Sequence, residues 1–215
     1  KTYLIPYIYN TAQFFYSKAA FTKAGVGDIK TWDDLISACG KLSAAGYAPM
    51  AIEGPEPGYN TIFFTYLMER LKGVGFMASA SKDQTGATWK DPAVLQAAKM
   101  TRDLWEKGCI PAASAGYKWP EAQNMVASGE TAMELVGAWL PTELSSATGP
   151  DFQWGALNFP EVPGGIGKST DMQAFILSFM ILKDSAHPKE AFEFLKFLMT
   201  KEAQIGYIRA SGFLP

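Results

Sequence analysis

The sequence predicts an α/β protein, and three observations carry that prediction. Segments with helical periodicity alternate with short apolar segments of strand type along the chain. Glycine and proline mark many of the junctions between them. Hydrophobic residues make up 48% of the 215 and charged residues 19%, which supplies a core and excludes a disordered chain. The length fits one large domain or two unequal ones.

Residues 3 to 16 carry Pro, Tyr, Ile and Phe without a helical period, and Phe14-Phe15-Tyr16 reads as a buried strand. A short helix over Lys18 to Lys23 ends at Gly25. Thr31-Trp32-Asp33-Asp34 starts the next helix. The threonine caps, the acid three residues on reaches back, and both acids suit the positive end of the helix dipole. Trp32, Leu35, Ile36, Cys39 and Leu42 form its apolar face. Ala48 to Ile52 is a short strand. Glu53 to Tyr59, with two prolines and two glycines, reads as a rigid loop of the kind that faces the ligand side of α/β sheets. Asn60 then opens a helix carrying Phe63, Tyr66, Leu67 and Leu71.

Asp91-Pro92 reads as N-cap and first helical position, with Val94, Leu95, Ala98 and Trp105 on the buried face and Gly108 past the end. A helix from Pro120 to Ser128 stops at Gly129, and Thr131 to Val136 is a strand. Gly137 turns the chain into a short helix starting near Trp139. Phe152 to Asn158 is a further strand, and Pro160 to Thr170 is a loop. Gln173 to Leu182 is apolar on both faces, as a strand inside a parallel sheet would be. Pro188 opens a helix with Phe192, Leu195, Leu198 and Met199, and a second helix runs to Ala210.

Several classes of chemistry are excluded or weakened. The 19 basic and 21 acidic residues leave a net charge of -2 without a basic stripe, which argues against nucleic-acid binding. The single histidine, His187, precedes a helix-opening proline and reads as a surface residue. Cys39 and Cys109 are too few for a disulfide framework or a zinc site, and Cys39 reads as a small buried hydrophobe on a helix face. The longest apolar run, Ala174 to Leu182, falls far short of the roughly 20 residues that span a bilayer. The first residues lack a signal-peptide layout.

Gly165-Ile166-Gly167-Lys168-Ser169 has the ending of a phosphate loop, but Val162 stands where that motif needs its first glycine, and a strand follows instead of a helix. Glu53, Glu56, Glu134 and Asp171 are candidate carboxylates. A glycosidase needs two of them, and nothing in the sequence pairs them. Trp32 and Trp105 sit on amphipathic faces and belong to the core. Trp139 differs: it follows a strand and a glycine turn, where α/β folds present residues to ligands.

The motifs taken together resemble the family 1 extracellular solute-binding proteins, the sugar-binding subunits of ABC importers. Tyr16-Ser17-Lys18, Phe21, Lys23-Ala24-Gly25 and Thr31-Trp32-Asp33-Asp34-Leu35 are similar to the family's Tyr-Asn-Lys, Lys-Ala-Gly and Thr-Trp-Asp-Glu-Leu stretches. Gly129-Glu130-Thr131-Ala132-Met133 and Gly137-Ala138-Trp139 resemble its Gly-x-x-Ala-Met strand and Gly-x-Trp turn. Ala191 to Leu198, Glu202-Ala203-Gln204 and Gly212-Phe213-Leu214-Pro215 resemble its C-terminal stretches. Ser17 departs from the usual asparagine.

The resemblance implies an α/β fold of type II periplasmic-binding-protein kind, with two lobes, a hinge and a ligand in the cleft between them. It implies that residues 1–174 are the second lobe with its hinge strands. Residues 175–215 are then one strand and two helices of the first lobe, whose remainder is absent. Site residues carry over singly: Trp139 stacks on a sugar ring, Glu56 and Tyr59 match a Glu-Pro-Tyr motif with one inserted glycine, and Asn10 stands where relatives place an acid. The implied protein is no enzyme and needs no cofactor or metal. It is a monomer that does not itself span the membrane, and its partners are a carbohydrate and the permease subunits of an ABC importer. Its place is the periplasm or cell exterior, with an N-terminal lipid anchor as an option. The alternative is an α/β enzyme, such as a glycoside hydrolase using Glu56 and a second carboxylate.

Overall fold

The computed structural model describes residues 4–211, so the Gly212-Phe213-Leu214-Pro215 stretch lies outside the described residues, as do the first three. The helices are α1 (Lys18–Ala24), α2 (Trp32–Ala44), α3 (Pro57–Lys72), α4 (Phe76–Lys82), α5 (Pro92–Glu106), α6 (Glu121–Ala127), α7 (Leu140–Glu143), α8 (Ser145–Thr148), α9 (Pro188–Leu198) and α10 (Lys201–Ser211). The strands are β1 (Ile5–Ser17), β2 (Ala48–Met50), β3 (Thr131–Gly137), β4 (Trp154–Leu157) and β5 (Ala174–Phe179).

One long strand organises the molecule. The C-terminal part of β1 pairs antiparallel with β3 and β4, giving the order β2-β3-β1-β4 with β2 parallel to β3. Its N-terminal part, Ile5 to Thr11, pairs antiparallel with β5. The change of partner falls at Thr11 and Ala12: Ala138 donates its N–H to Thr11 O at 3.0 Å and Ala12 donates to Gln173 O at 3.1 Å. The Tyr66 hydroxyl seals this point by donating to Ala12 O and accepting from Gln173 N at 3.0 Å.

Alternation along β1 separates two cores. Phe14 points into the larger one, with Met133 and Leu135 of β3 and the inner faces of α2, α3 and α5. Phe15 points to the other side, with Val136, Val126 of α6 and Leu140 of α7. The caps form as their residues dictate. Thr31 and Asp34 make the reciprocal capping box, and Gly25 sits at φ 62°, where only glycine is unstrained.

Several expectations need correction. Helix α3 begins at Pro57 with Glu56 as its N-cap, so Glu53 to Tyr59 is not all loop and Asn60 does not open the helix. Pro57 occupies the first turn, where its missing N–H is no loss. The side chain of Asn60 instead bonds the carbonyls of Glu53 (3.2 Å) and Gly54. On α5 the buried residues are Ala93, Ala97 and Leu104, while Leu95 and Ala98 are exposed. Small alanines let α5 lie close against α3, and that sets the phase of the helix. Strand β5 is antiparallel to β1 rather than inside a parallel sheet, and Ile176 and Leu177 are exposed.

The two cysteines are joined: Cys39 and Cys109 form a disulfide with Cα atoms 5.1 Å apart. Sequence separation could not show this. The segment holding Cys109 runs beside β2, with Met50 N donating to Cys109 O at 3.1 Å, and α2 leads directly into β2.

Arg70, near the end of α3, is fully buried. Its guanidinium donates to Phe159 O (2.8 Å), Asp171 O (2.9 Å) and Pro160 O (3.2 Å). The Gly165-to-Ser169 segment lies on the same helix end. A Cβ on Gly167 would fall 2.2 Å from Glu69 O, and Gly167 N donates to Arg70 O at 2.9 Å. These glycines serve a close backbone approach.

The last two helices differ from the body. Phe192, Phe194 and Phe197 of α9 are about half exposed, Met180 and Leu182 before it are more exposed still, and Leu195 is buried.

Candidate functional site

Strand β3 ends at Gly137, and the chain folds straight back so that the Trp139 ring lies over that glycine. A Cβ at position 137 would meet the ring at 1.9 Å, so the Gly-x-Trp pattern is a steric requirement. Trp139 is half-buried, with one side against Phe175 at a ring distance of 6.3 Å.

A cavity of 480 Å³ opens beside it. Trp139, Thr142 and Glu143 form one wall, and Asn10 and Ile8 of β1 form another. Leu177 of β5 with Tyr7 and Tyr207 closes the third side. Tyr7 is itself fixed by stacking on Phe179 at 4.0 Å. The space combines flat aromatic faces with a few polar groups, the composition of a small-molecule site.

Behind the Trp139 wall is a polar interior. Glu53, at the end of the β2 segment, is 0% exposed, and Glu134, facing Phe15 across the sheet, is 1% exposed. None of their four carboxylate oxygens has a hydrogen-bond partner among the described residues. Burial pushes both carboxyls above their ordinary value. It raises Glu134 strongly, with the nearby Glu53 and Glu143 adding to the effect. Tyr59 stands among these acids, and burial followed by the charge of Glu53 raises its phenol. Gln123 of α6, 0% exposed, donates Nε2 to Glu143 Oε2 at 3.3 Å.

Of the four residues the sequence singled out, two meet in the cavity: Trp139 and Asn10, the latter 5% exposed. Tyr59 and Glu56 lie apart from that lining, in the first turn of α3 and at its N-cap, with Tyr59 half-buried and Glu56 exposed. Tyr59 packs on the same small core as Trp139. Glu53 and Glu134 are near each other, which no spacing in the sequence revealed. Asp171 is elsewhere, in the loop around Arg70. His187 is exposed at the N-cap of α9. The lining residues that sequence reasoning missed are Tyr7, Ile8, Thr142, Glu143, Leu177 and Tyr207. Only Glu143 had a signal, one helical turn beyond Trp139.

Among the described residues no helix is long and apolar enough to cross a membrane, and no group of three or more His, Cys, Asp or Glu could hold a metal ion.

Comparison with known proteins places this architecture. An ABC transporter extracellular-binding protein of Pyrococcus horikoshii is 27% identical over 218 residues, covering 99% of this chain and 46% of its own length. A structure from work on xylan utilization by Caldanaerobius polysaccharolyticus superposes with a TM-score of 0.88 at 22% identity, covering 100% of this chain and 55% of that one. A chitin oligosaccharide binding protein gives 0.80 at 26% identity over 100% of this chain and 54% of its own. The chain thus spans about half the length of the relatives it matches, and its α/β fold is that of the periplasmic solute-binding proteins. The family described as bacterial extracellular solute-binding protein matches residues 1–205, and the chain belongs to that family.

Proposed function

We propose that this chain is part of the carbohydrate-binding subunit of an ABC importer. It takes up an oligosaccharide in a cleft between two lobes and delivers it to the permease. The observation that carries the proposal is the cavity beside Trp139, where an aromatic face over Gly137 meets Asn10 and Glu143. Sugars offer flat C–H faces that stack on such rings and hydroxyls that need fixed polar partners.

In this reading residues 1–174 form the second lobe with its hinge strands, and residues 175–215 belong to the first lobe. The exposed phenylalanines of α9 support the division, because an amphipathic helix needs a surface to cover its apolar side. The crossing at Thr11 and Ala12, where β1 passes from one set of partners to the other, is the hinge. Closure around ligand forms the state that docks on the permease. The protein works as a monomer in the periplasm or outside the cell, where a disulfide such as Cys39–Cys109 persists, and an N-terminal lipid anchor would hold it there. Tyr59 and Glu56 extend the binding wall from the first turn of α3.

The test is a titration of the protein carrying both lobes with maltotriose, raffinose and chitotriose, followed by chromatography of the recovered sugar. Saturable binding with unchanged sugar is the expected result. Cleavage that disappears in Glu56→Gln would establish the hydrolase alternative instead.

A further inference from the structure

The wall around Trp139 carries a charge that ring stacking does not use. Glu143 is exposed and lines the cavity one helical turn after Trp139. It is held from behind by Gln123, whose Nε2 donates to Glu143 Oε2 at 3.3 Å. Gln123 is itself 0% exposed, and its Oε1 has no partner among the described residues. A fully buried amide aimed at one carboxylate is a support that fixes where that carboxylate points. Beneath Gln123 and Glu143 are the buried acids Glu53 and Glu134. No Lys, Arg or His is among the described residues that line the cavity. Glu143 is therefore the one charged side chain of this lining, with no cation to offset it, among groups such as Thr142 and Asn10 that both donate and accept.

We infer that Glu143, positioned by Gln123, determines specificity by accepting hydrogen bonds from the hydroxyls of a neutral oligosaccharide and by repelling sugars that carry a carboxylate or phosphate. The inference rests on the carbohydrate reading above and names the class of sugar within it. Hydroxyl-to-carboxylate bonds are shorter and stronger than neutral ones, so a neutral sugar gains from Glu143. An anionic sugar brings a like charge to a partly desolvated wall, and like-charge juxtaposition is what excludes wrong partners. The buried acids respond to the same field: Glu143 is among the causes that raise Glu53 and Glu134, after burial itself.

The experiment uses the protein carrying both lobes and isothermal titration. Maltotriose, raffinose and chitotriose are each compared with the derivative whose terminal hydroxymethyl is oxidised to a carboxylate. The wild type should bind a neutral sugar at least about tenfold more tightly than its carboxylate derivative. Glu143→Gln keeps an acceptor and removes the charge, so it should shrink that ratio to about threefold or less. Glu143→Ala should weaken the neutral sugar by about tenfold or more. Glu143→Gln keeps an acceptor for the buried Gln123 amide and should unfold near the wild-type temperature, whereas Glu143→Ala removes that acceptor, so its affinity is read well below its own unfolding temperature. Equal affinity for neutral and carboxylate forms, or an unchanged ratio in Glu143→Gln, would overturn the inference. If Trp139→Ala weakens binding while Glu143→Ala does not, this inference fails and the carbohydrate site stands. If none of the three neutral sugars binds the wild type, the carbohydrate reading fails and takes this inference with it.

Discussion

Helix α3 has buried charge near both ends, and the two ends handle it in opposite ways. At the C-terminal end Arg70 is enclosed by acceptors, the main-chain carbonyls of Phe159, Pro160 and Asp171, with the Tyr66 and Phe159 rings 5.2 and 5.7 Å from its guanidinium. A cation at a helix C-terminus is also favoured by the dipole. At the N-terminal end Glu53 and Glu134 are as deeply buried and have no hydrogen-bond partners among the described residues. The Arg70 end joins α3 to the loop between β4 and β5. The acid end backs the wall of a cavity. The buried cation at one end is held by carbonyls and belongs to the architecture, and two wholly buried carboxyls without partners back the candidate site; Glu69 beside Arg70 leaves Oε2 unpartnered, but its Oε1 accepts from Met77 N at 3.3 Å.

That contrast predicts unequal consequences. Arg70→Met leaves several buried carbonyls without a donor and should lower stability by about 3 kcal/mol or more. Urea unfolding measures it, and a loss below about 1 kcal/mol would break the contrast. Reducing the Cys39–Cys109 bond should cost about 2–4 kcal/mol, because the bond closes a long loop of the unfolded chain. It should leave sugar affinity unchanged, since α2 lies on the far face of the sheet from α6 and α7. Unfolding with and without reductant, paired with a titration, checks both statements.

At the cavity end the effects move from stability to binding. Trp139→Ala should weaken oligosaccharide binding by about 1–3 kcal/mol, the scale of an aromatic anchor. The smallest effect concerns the buried acids. Burial raises Glu134 and Glu53 above the ordinary glutamate value of 4.5. A raised acid supports the fold fully when it is protonated in both states, below about 4.5, and that support is lost as pH rises through the raised value. Stability should therefore fall as pH rises above the ordinary glutamate value of 4.5. Glu134→Gln should flatten that fall and raise stability at neutral pH by about 1–2 kcal/mol. Urea midpoints across that range decide it, and an unchanged slope would show that these carboxylates are not the source.

What the sequence disclosed follows from how far each signal reaches. Capping chemistry is local, so Thr31 with Asp34, Gly25 and Asp91-Pro92 were legible. The Gly137-to-Trp139 turn was legible for the same reason, and its steric basis appears only when the ring is seen over the glycine. The family resemblance, an ordered set of local motifs, agrees with the match over residues 1–205. Long-range facts were hidden. Nothing near Arg70 in sequence points to carbonyls about 90 residues away, nothing pairs Cys39 with Cys109, and nothing brings Tyr207 to Tyr7. The face of α5 was misread because alanines, and not the larger Leu95, decide how closely it approaches α3. Within the candidate site, Trp139 was marked by its turn position, and Asn10 only by the family resemblance. Glu53 and Glu134 were legible as single carboxylates but not as a pair, because one lies in the segment after β2 and the other on β3, about 80 residues apart in sequence.

In the proposed function a neutral sugar binds at the Trp139 wall. A crystal structure of the protein carrying both lobes, with maltotriose, raffinose or chitotriose bound, tests it most directly. A sugar ring should stack on the Trp139 face about 4–5 Å away, with one of its hydroxyls donating to Glu143. A sugar bound elsewhere, with the Trp139 face covered by protein side chains, would contradict it.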